Sequence, residues 1–129
     1  MLKDSKVSAI APAADLERAR RFYADSLGLT PSEEAPGRLT YHLGGGTELF
    51  LYATEYAGQA GHTVAAFRVG DIGAEVAALE SRGVRFETYD MPDVTWEGVI
   101  ASNPEMGKVA WFKDSEGNIL ALDEAPTSE

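Results

Sequence analysis

The 129-residue sequence contains no cysteine, only two histidines, and 11 basic residues against 21 acidic ones. Without cysteine there can be no disulfide, no thiolate metal site and no cysteine nucleophile. This suits a reducing compartment, and a cytoplasmic location is expected. A net charge of −10 repels polyanions and leaves no basic stripe, so neither nucleic acid nor an anionic membrane surface is expected as a partner. No stretch approaches the roughly 20 apolar residues of a membrane span. The apolar run from Val7 to Ala14 is interrupted by Pro12 and is too short for a signal peptide. A Walker loop, a G-x-S-x-G elbow, a dinucleotide fingerprint and a zinc-protease helix are all missing. Gly44-Gly45-Gly46 leads into a strand pattern and not a helix, which makes it a turn and not a phosphate cradle.

What is present is the composition of one globular domain, 44% apolar and 25% charged, long enough to bury a core. The apolar run Val7 to Pro12 is followed by Asp15, whose carboxylate can cap the free N–H groups of a helix. Leu16, Ala19, Phe22, Tyr23 and Leu27 then recur at steps of three and four, as one buried stripe of a helix that Gly28 closes. Arg38 to Leu43 alternates polar with apolar, and beyond the glycine turn Glu48 to Ala53 reads as another strand. The second half repeats the order. His62 to Val69 is rich in strand formers, Asp71 is a cap, Ile72, Val76 and Leu79 form a stripe, and Gly83 closes it. Strands are expected again at Val84 to Tyr89, Lys108 to Lys113 and Asn118 to Asp123. Caps and closing glycines are 56 and 55 residues apart, so the two halves hold register. The expected class is α+β, one domain over 1–129, with modules at 1–58 and 59–129.

Alternation assigns sides. Leu49 and Leu51 should face the helix, leaving Glu48, Phe50 and Tyr52 on the opposite face. On the last strand Leu120 and Leu122 should face the helix, with Ile119, Ala121 and Asp123 opposite. Two such modules would bring their free faces together around a concave groove.

Two segments carry a resemblance. Asp15-Leu16-Glu17-Arg18-Ala19-Arg20-Arg21-Phe22-Tyr23, leading to Leu27-Gly28-Leu29, resembles a helix entry D-L-x-x-A-x-x-F-Y followed by L-G-L. Asp114-Ser115-Glu116-Gly117-Asn118 resembles a D-P-x-G-N turn before a final strand, with Ser115 in place of proline. Both are similar to segments of the glyoxalase, bleomycin-resistance and extradiol-dioxygenase superfamily, also called vicinal oxygen chelate. The resemblance implies tandem β-α-β-β-β modules whose curved mixed sheets surround a cavity, commonly in a homodimer.

In metal-dependent members of that superfamily four groove-facing side chains hold a divalent ion that polarises substrate oxygens. Here those positions fall on Ser8, Phe50, His62 and Ala121. Only His62 is a donor of the family type. One ligand of four cannot offset dehydration of the ion, so no metal and no other cofactor is expected. Glu48 and Asp123 sit two residues from the lost positions, about 7 Å along a strand, and are the acids a rearranged site would need.

His62 is the one catalytic candidate, although a lone histidine at a strand end is more often a surface group. His42 reads as solvent-facing or at a chain interface. Phe50, Tyr52, Trp96 and Trp111 are the aromatic candidates for a cavity lining, with Tyr41, Tyr56 and Tyr89 as further ones, while any single aromatic is more often core. Met91 to Gly107 is long for a link between strands and reads either as a lid or as a surface excursion. Three functions remain in competition. One is a metal-free protein binding a small aromatic or hydrophobic molecule, with cationic ligands favoured by the acidic charge. Another is an enzyme, either a lyase or isomerase using His62 or a metal enzyme with displaced ligands. The last is a structural or regulatory dimer with a vestigial cavity. The missing donors favour binding.

Overall fold

The computed structural model describes residues 1–126, which form two helices and ten strands in two curved, unclosed mixed sheets. β1 (Ala9–Ala13) leads to α1 (Leu16–Asp25), followed by β2 (Glu33–Ala35), β3 (Arg38–His42) and β4 (Glu48–Ala53). Then come β5 (Thr63–Arg68), α2 (Ile72–Ser81), β6 (Phe86–Glu87), β7 (Thr95–Glu97), β8 (Ile100–Asn103), β9 (Gly107–Lys113) and β10 (Ile119–Glu124). The first sheet runs β1-β4-β3-β2 and the second β5-β10-β9-β8-β7, with β6 also paired to β9. In each sheet the strand before the helix lies parallel to the last strand of its half, β1 on β4 and β5 on β10.

Local chemistry explains both helices. The Asp15 carboxylate accepts the Arg18 N–H at 3.0 Å and Asp71 accepts that of Ala74 at 3.1 Å. Such caps contribute about 1 kcal/mol each. Gly28 and Gly83 adopt φ of +72° and +90°, where a side chain would be strained, and the chain turns back so that Leu29 N–H reaches Tyr23 O at 2.8 Å. The sides assigned by alternation hold: Leu49, Leu51, Leu120 and Leu122 are buried in a core with Leu39, Tyr41, Phe112 and the helix residues Ala19, Tyr23, Ile72, Val76 and Leu79. Each such leucine contributes roughly 2 kcal/mol by leaving water.

Three segments differ from expectation. Glu33–Ala35 forms a short edge strand whose residues are all exposed, so no apolar alternation marked it. The strand expected over Val84 to Tyr89 pairs only at Phe86–Glu87. Met91 to Gly107 is not a free lid, because Thr95–Glu97 and Ile100–Asn103 fold into a hairpin that extends the second sheet, turning at Gly98 with φ +63°.

The turn 114–118 ties the halves together. The Tyr23 hydroxyl donates to Asp114 Oδ2 at 2.7 Å, and Asn118 Nδ2 donates to both Asp114 Oδ2 and the Pro12 carbonyl, at 2.9 and 2.8 Å. Glu116 accepts the Asp15 N–H and two bonds from the Arg18 guanidinium, all within 2.9 Å. Burial first, then the Asp114 carboxylate, pushes the Tyr23 phenol well above its ordinary value, so it stays a donor. Burial alone would raise Glu116, but the bonds from Arg18, the Asp15 N–H and Ser115, with the Arg18 charge, hold it down at about 2.

Candidate functional site

The face of each sheet turned away from the helices carries the candidate residues. In the first sheet Ile10, Phe50 and Thr40 lie side by side across β1, β4 and β3, as do Pro12, Tyr52 and Arg38. The Arg38 guanidinium sits over the Phe50 ring, 5.1 Å from its centre, a cation–π contact that half-buries the ring. In the second sheet Ala66, Ala121 and Trp111 lie side by side across β5, β10 and β9. β1 and β5, the facing edges of the two sheets, approach each other.

Trp111 is the centre of an aromatic cluster. The Tyr89 ring meets it edge-on at 5.4 Å and Trp96 lies tilted at 6.2 Å. Its indole N–H donates to Thr63 Oγ1 at 3.2 Å, which fixes the ring plane. Beside it a cavity of about 200 Å³ is walled by Gly61, His62, Thr63, Tyr89, Trp111 and Ile119. Burial, then the Glu87 carboxylate, raises the Tyr89 phenol above its ordinary value, so this ring is uncharged at neutral pH. His62 precedes β5, exposed, with Nδ1 3.0 Å from the Thr63 carbonyl. A carbonyl only accepts, so Nδ1 carries the proton in the neutral ring and Nε2 offers a lone pair.

The candidates named from sequence therefore divide. Trp96, Trp111 and His62 meet on the second sheet, with Ala121 paired to Trp111 and 3% exposed. Phe50 and Tyr52 lie on the first sheet, and Ser8 lies just before β1. As a metal centre the set does not fit: Phe50 and Ala121 offer no donor atom, and Ser8 offers only a hydroxyl. The acids that might stand in are engaged elsewhere. Asp123 pairs with Arg68, and Glu48 neighbours His42. Among the described residues no group of three or more histidine, aspartate or glutamate side chains could hold an ion.

The sequence did not reveal His42 as a partner of carboxylates. It stands on the same face as Phe50, with Nε2 3.1 Å from Glu33 and 3.9 Å from Glu48. Pairing of β3 with the unforeseen β2 creates that contact. Arg38 and Arg68 were likewise placed on the face by sheet register, which one sequence cannot supply. The alternation Arg38, Thr40, His42 was the available signal, once the side facing the core was fixed by Leu39 and Tyr41.

Comparison with known proteins follows the same lines. Similar solved structures include TnmS3, an antibiotic-binding protein from Streptomyces sp. CB03234, at 24% identity and TM-score 0.68, covering 96% of this chain and 98% of that one. A bleomycin resistance determinant encoded on the transposon Tn5 aligns at 18% identity and TM-score 0.70, covering 95% and 99%. The fosfomycin resistance protein FosX from Listeria monocytogenes, solved with Mn(II) and sulfate, aligns at 16% identity and TM-score 0.67, covering 95% and 91%. At these identities the likeness establishes the fold. No curated protein matches the sequence significantly. The family model of the Glyoxalase/Bleomycin resistance protein/Dioxygenase superfamily matches residues 7–122, nearly the whole chain, and the protein belongs to that superfamily.

Proposed function

We propose that this protein binds a small aromatic or hydrophobic molecule without a metal ion, on the sheet face that carries Trp111. The observation that carries the reading is the cluster of Trp111, Tyr89 and Trp96 beside an open cavity. Flat, uncharged rings with one fixed indole suit stacking on a planar ligand, and stacked aromatic pairs contribute about 1 kcal/mol beyond their area. The donor-poor positions Ser8, Phe50 and Ala121 argue for binding without metal. The antibiotic-binding protein TnmS3 agrees with this reading, whereas FosX with Mn(II) represents the metal-bearing alternative on the same fold. The net charge of −10 favours a cationic ligand.

The chain acts as one domain of two modules, 1–58 and 59–129, in the cytoplasm. Ile10, Tyr52 and Tyr89 are exposed on the free face, which favours a homodimer that encloses the cavity. No helix among the described residues is long and apolar enough to cross a membrane. A second reading, a lyase or isomerase, draws on the open Nε2 of His62 at the cavity wall. The third, a dimer with a vestigial cavity, predicts no ligand at all.

A thermal-shift screen of aromatic compounds with and without divalent metal separates the three. Metal-independent shifts without turnover of the hit support binding, turnover of the hit or shifts that need metal support an enzyme, and no shift supports the vestigial cavity. For a hit, Trp111→Ala combined with Phe50→Ala should weaken affinity at least about tenfold by calorimetry, the scale of one lost aromatic anchor. Undiminished affinity in the double variant would mean the face is misassigned.

A further inference from the structure

Each half carries a turn just before its last strand, and the two turns share one closing bond. Asp114 N–H bonds Asn118 O at 3.0 Å, and Leu43 N–H bonds Thr47 O at 2.9 Å, so the turn 43–47 is the counterpart of the turn 114–118. The helix caps align in the same way, Arg18 N–H on Asp15 and Ala74 N–H on Asp71. At the first junction α1 reaches the turn 114–118 through Tyr23 and Arg18. By position in the repeat, the counterparts at the second are Leu79 and Ala74 on α2 and Leu43 and Gly45 in the turn, of which Leu79 and Leu43 border one cleft. Nothing crosses.

A cleft of about 270 Å³ remains there. Leu27 and Leu29 from the end of α1, Phe67 and Val69 from β5 and Leu79 from α2 line it, with Glu75 at its rim. Four of these five apolar side chains are only half-buried, although all pack on the core. Water gains little from such walls, and an apolar cavity of about 150 Å³ already takes up benzene. The charged side chains at the mouth are Glu75 and Arg68. Glu75 makes no ion pair among the described residues, and Glu48 borders the wider opening of about 450 Å³ that continues past Leu43 and Phe67. Arg68 also borders both spaces, but its guanidinium is engaged by Asp123.

We propose that this helix-side cleft is a second binding site, distinct from the aromatic face, for a small primary amine with an apolar body. The alkyl part would fill the leucine-lined space and the ammonium would sit by Glu75, as the Arg18 guanidinium bridges helix and turn at the other junction. The site neither requires nor touches Trp111.

The test is a methyl-resolved NMR titration of the full chain with n-hexylamine, with n-hexanol and hexanoate as controls. Saturable shifts confined to Leu27, Leu29, Leu43, Val69 and Leu79 are expected, with the amine bound up to about fivefold more tightly than the alcohol and hexanoate weakest. Glu75→Gln, an exposed change that leaves the core intact, should abolish the amine preference and keep hexanol binding. Trp111→Ala should leave all three affinities unchanged, so failure here and failure of the aromatic face are separable. Absence of saturable shifts overturns the proposal, as do shifts centred on Val109 and Ala121, equal binding of hexanoate, or a dimer in which a second copy already covers these methyls.

Discussion

At the two junctions the five-residue turns are closed by the same first-to-fifth backbone bond, yet one holds three buried polar side chains and the other has three consecutive glycines. Asp114, Glu116 and Asn118 are 6%, 7% and 2% exposed, and the bonds described above satisfy them. Buried polar groups are stabilising only as a complete set, because each one left unpaired costs its desolvation. The glycine turn avoids that risk and gives up the crossing. The repeat thus places a turn before the last strand of each half, and side chains decide whether it is tied to a helix.

The sharpest way to break this comparison is Asp114→Ala. It strands the Tyr23 hydroxyl, the Asn118 amide and the Glu116 and Asn118 N–H groups, so a loss of about 3 kcal/mol in urea unfolding is expected. The matching change Leu43→Ala should cost about 1 kcal/mol, since a half-buried leucine leaves no orphaned donor. Equal losses would mean that the polar network contributes no more than packing.

Smaller effects sharpen the same contrast through acid titration. The folded state holds the Glu116 carboxyl at about 2, below its ordinary value near 4.5, so the ionised form favours the fold. That contribution is fully present above pH 4.5 and is lost as pH falls toward 2. Glu116→Gln should therefore be less stable at neutral pH, with the gap to the parent closing across that window in pH-dependent urea midpoints. The smallest effect is expected at the open junction: Ala74→Arg adds the cation without its carboxylate, and stability should change by less than about 0.5 kcal/mol.

Much of the fold was legible because single residues carried it. Asp15 and Asp71 mark helix starts, Gly28 and Gly83 mark ends, and the alternation through Leu49, Phe50 and Leu51 gives both strand and side. The edge strand Glu33–Ala35 was illegible because an exposed strand needs no apolar period. The hairpin through Trp96 and Ala101 was read as loop because three- and four-residue strands give too few alternations to count. At the candidate site the residue types were visible but not their companions. Trp111, Trp96 and Tyr89 were all named, but Tyr89 meets Trp111 only because the short β6 pairs beside it. Tyr23 read as one more apolar residue of a helical stripe, and nothing local announces a carboxylate 91 residues away.

Those separations govern the order in which the chain can settle. Tyr23 to Asp114 spans 91 residues, Arg18 to Glu116 98, and Pro12 to Asn118 106. During synthesis the N-terminal half leaves the ribosome long before its closing turn exists, with an unmatched phenol on the face of α1 that later becomes core. Contacts this distant make folding slow relative to local helix formation. The turn 114–118, made after the whole first half, is therefore the one that completes it, and until it emerges the Tyr23 hydroxyl has no Asp114 to bond.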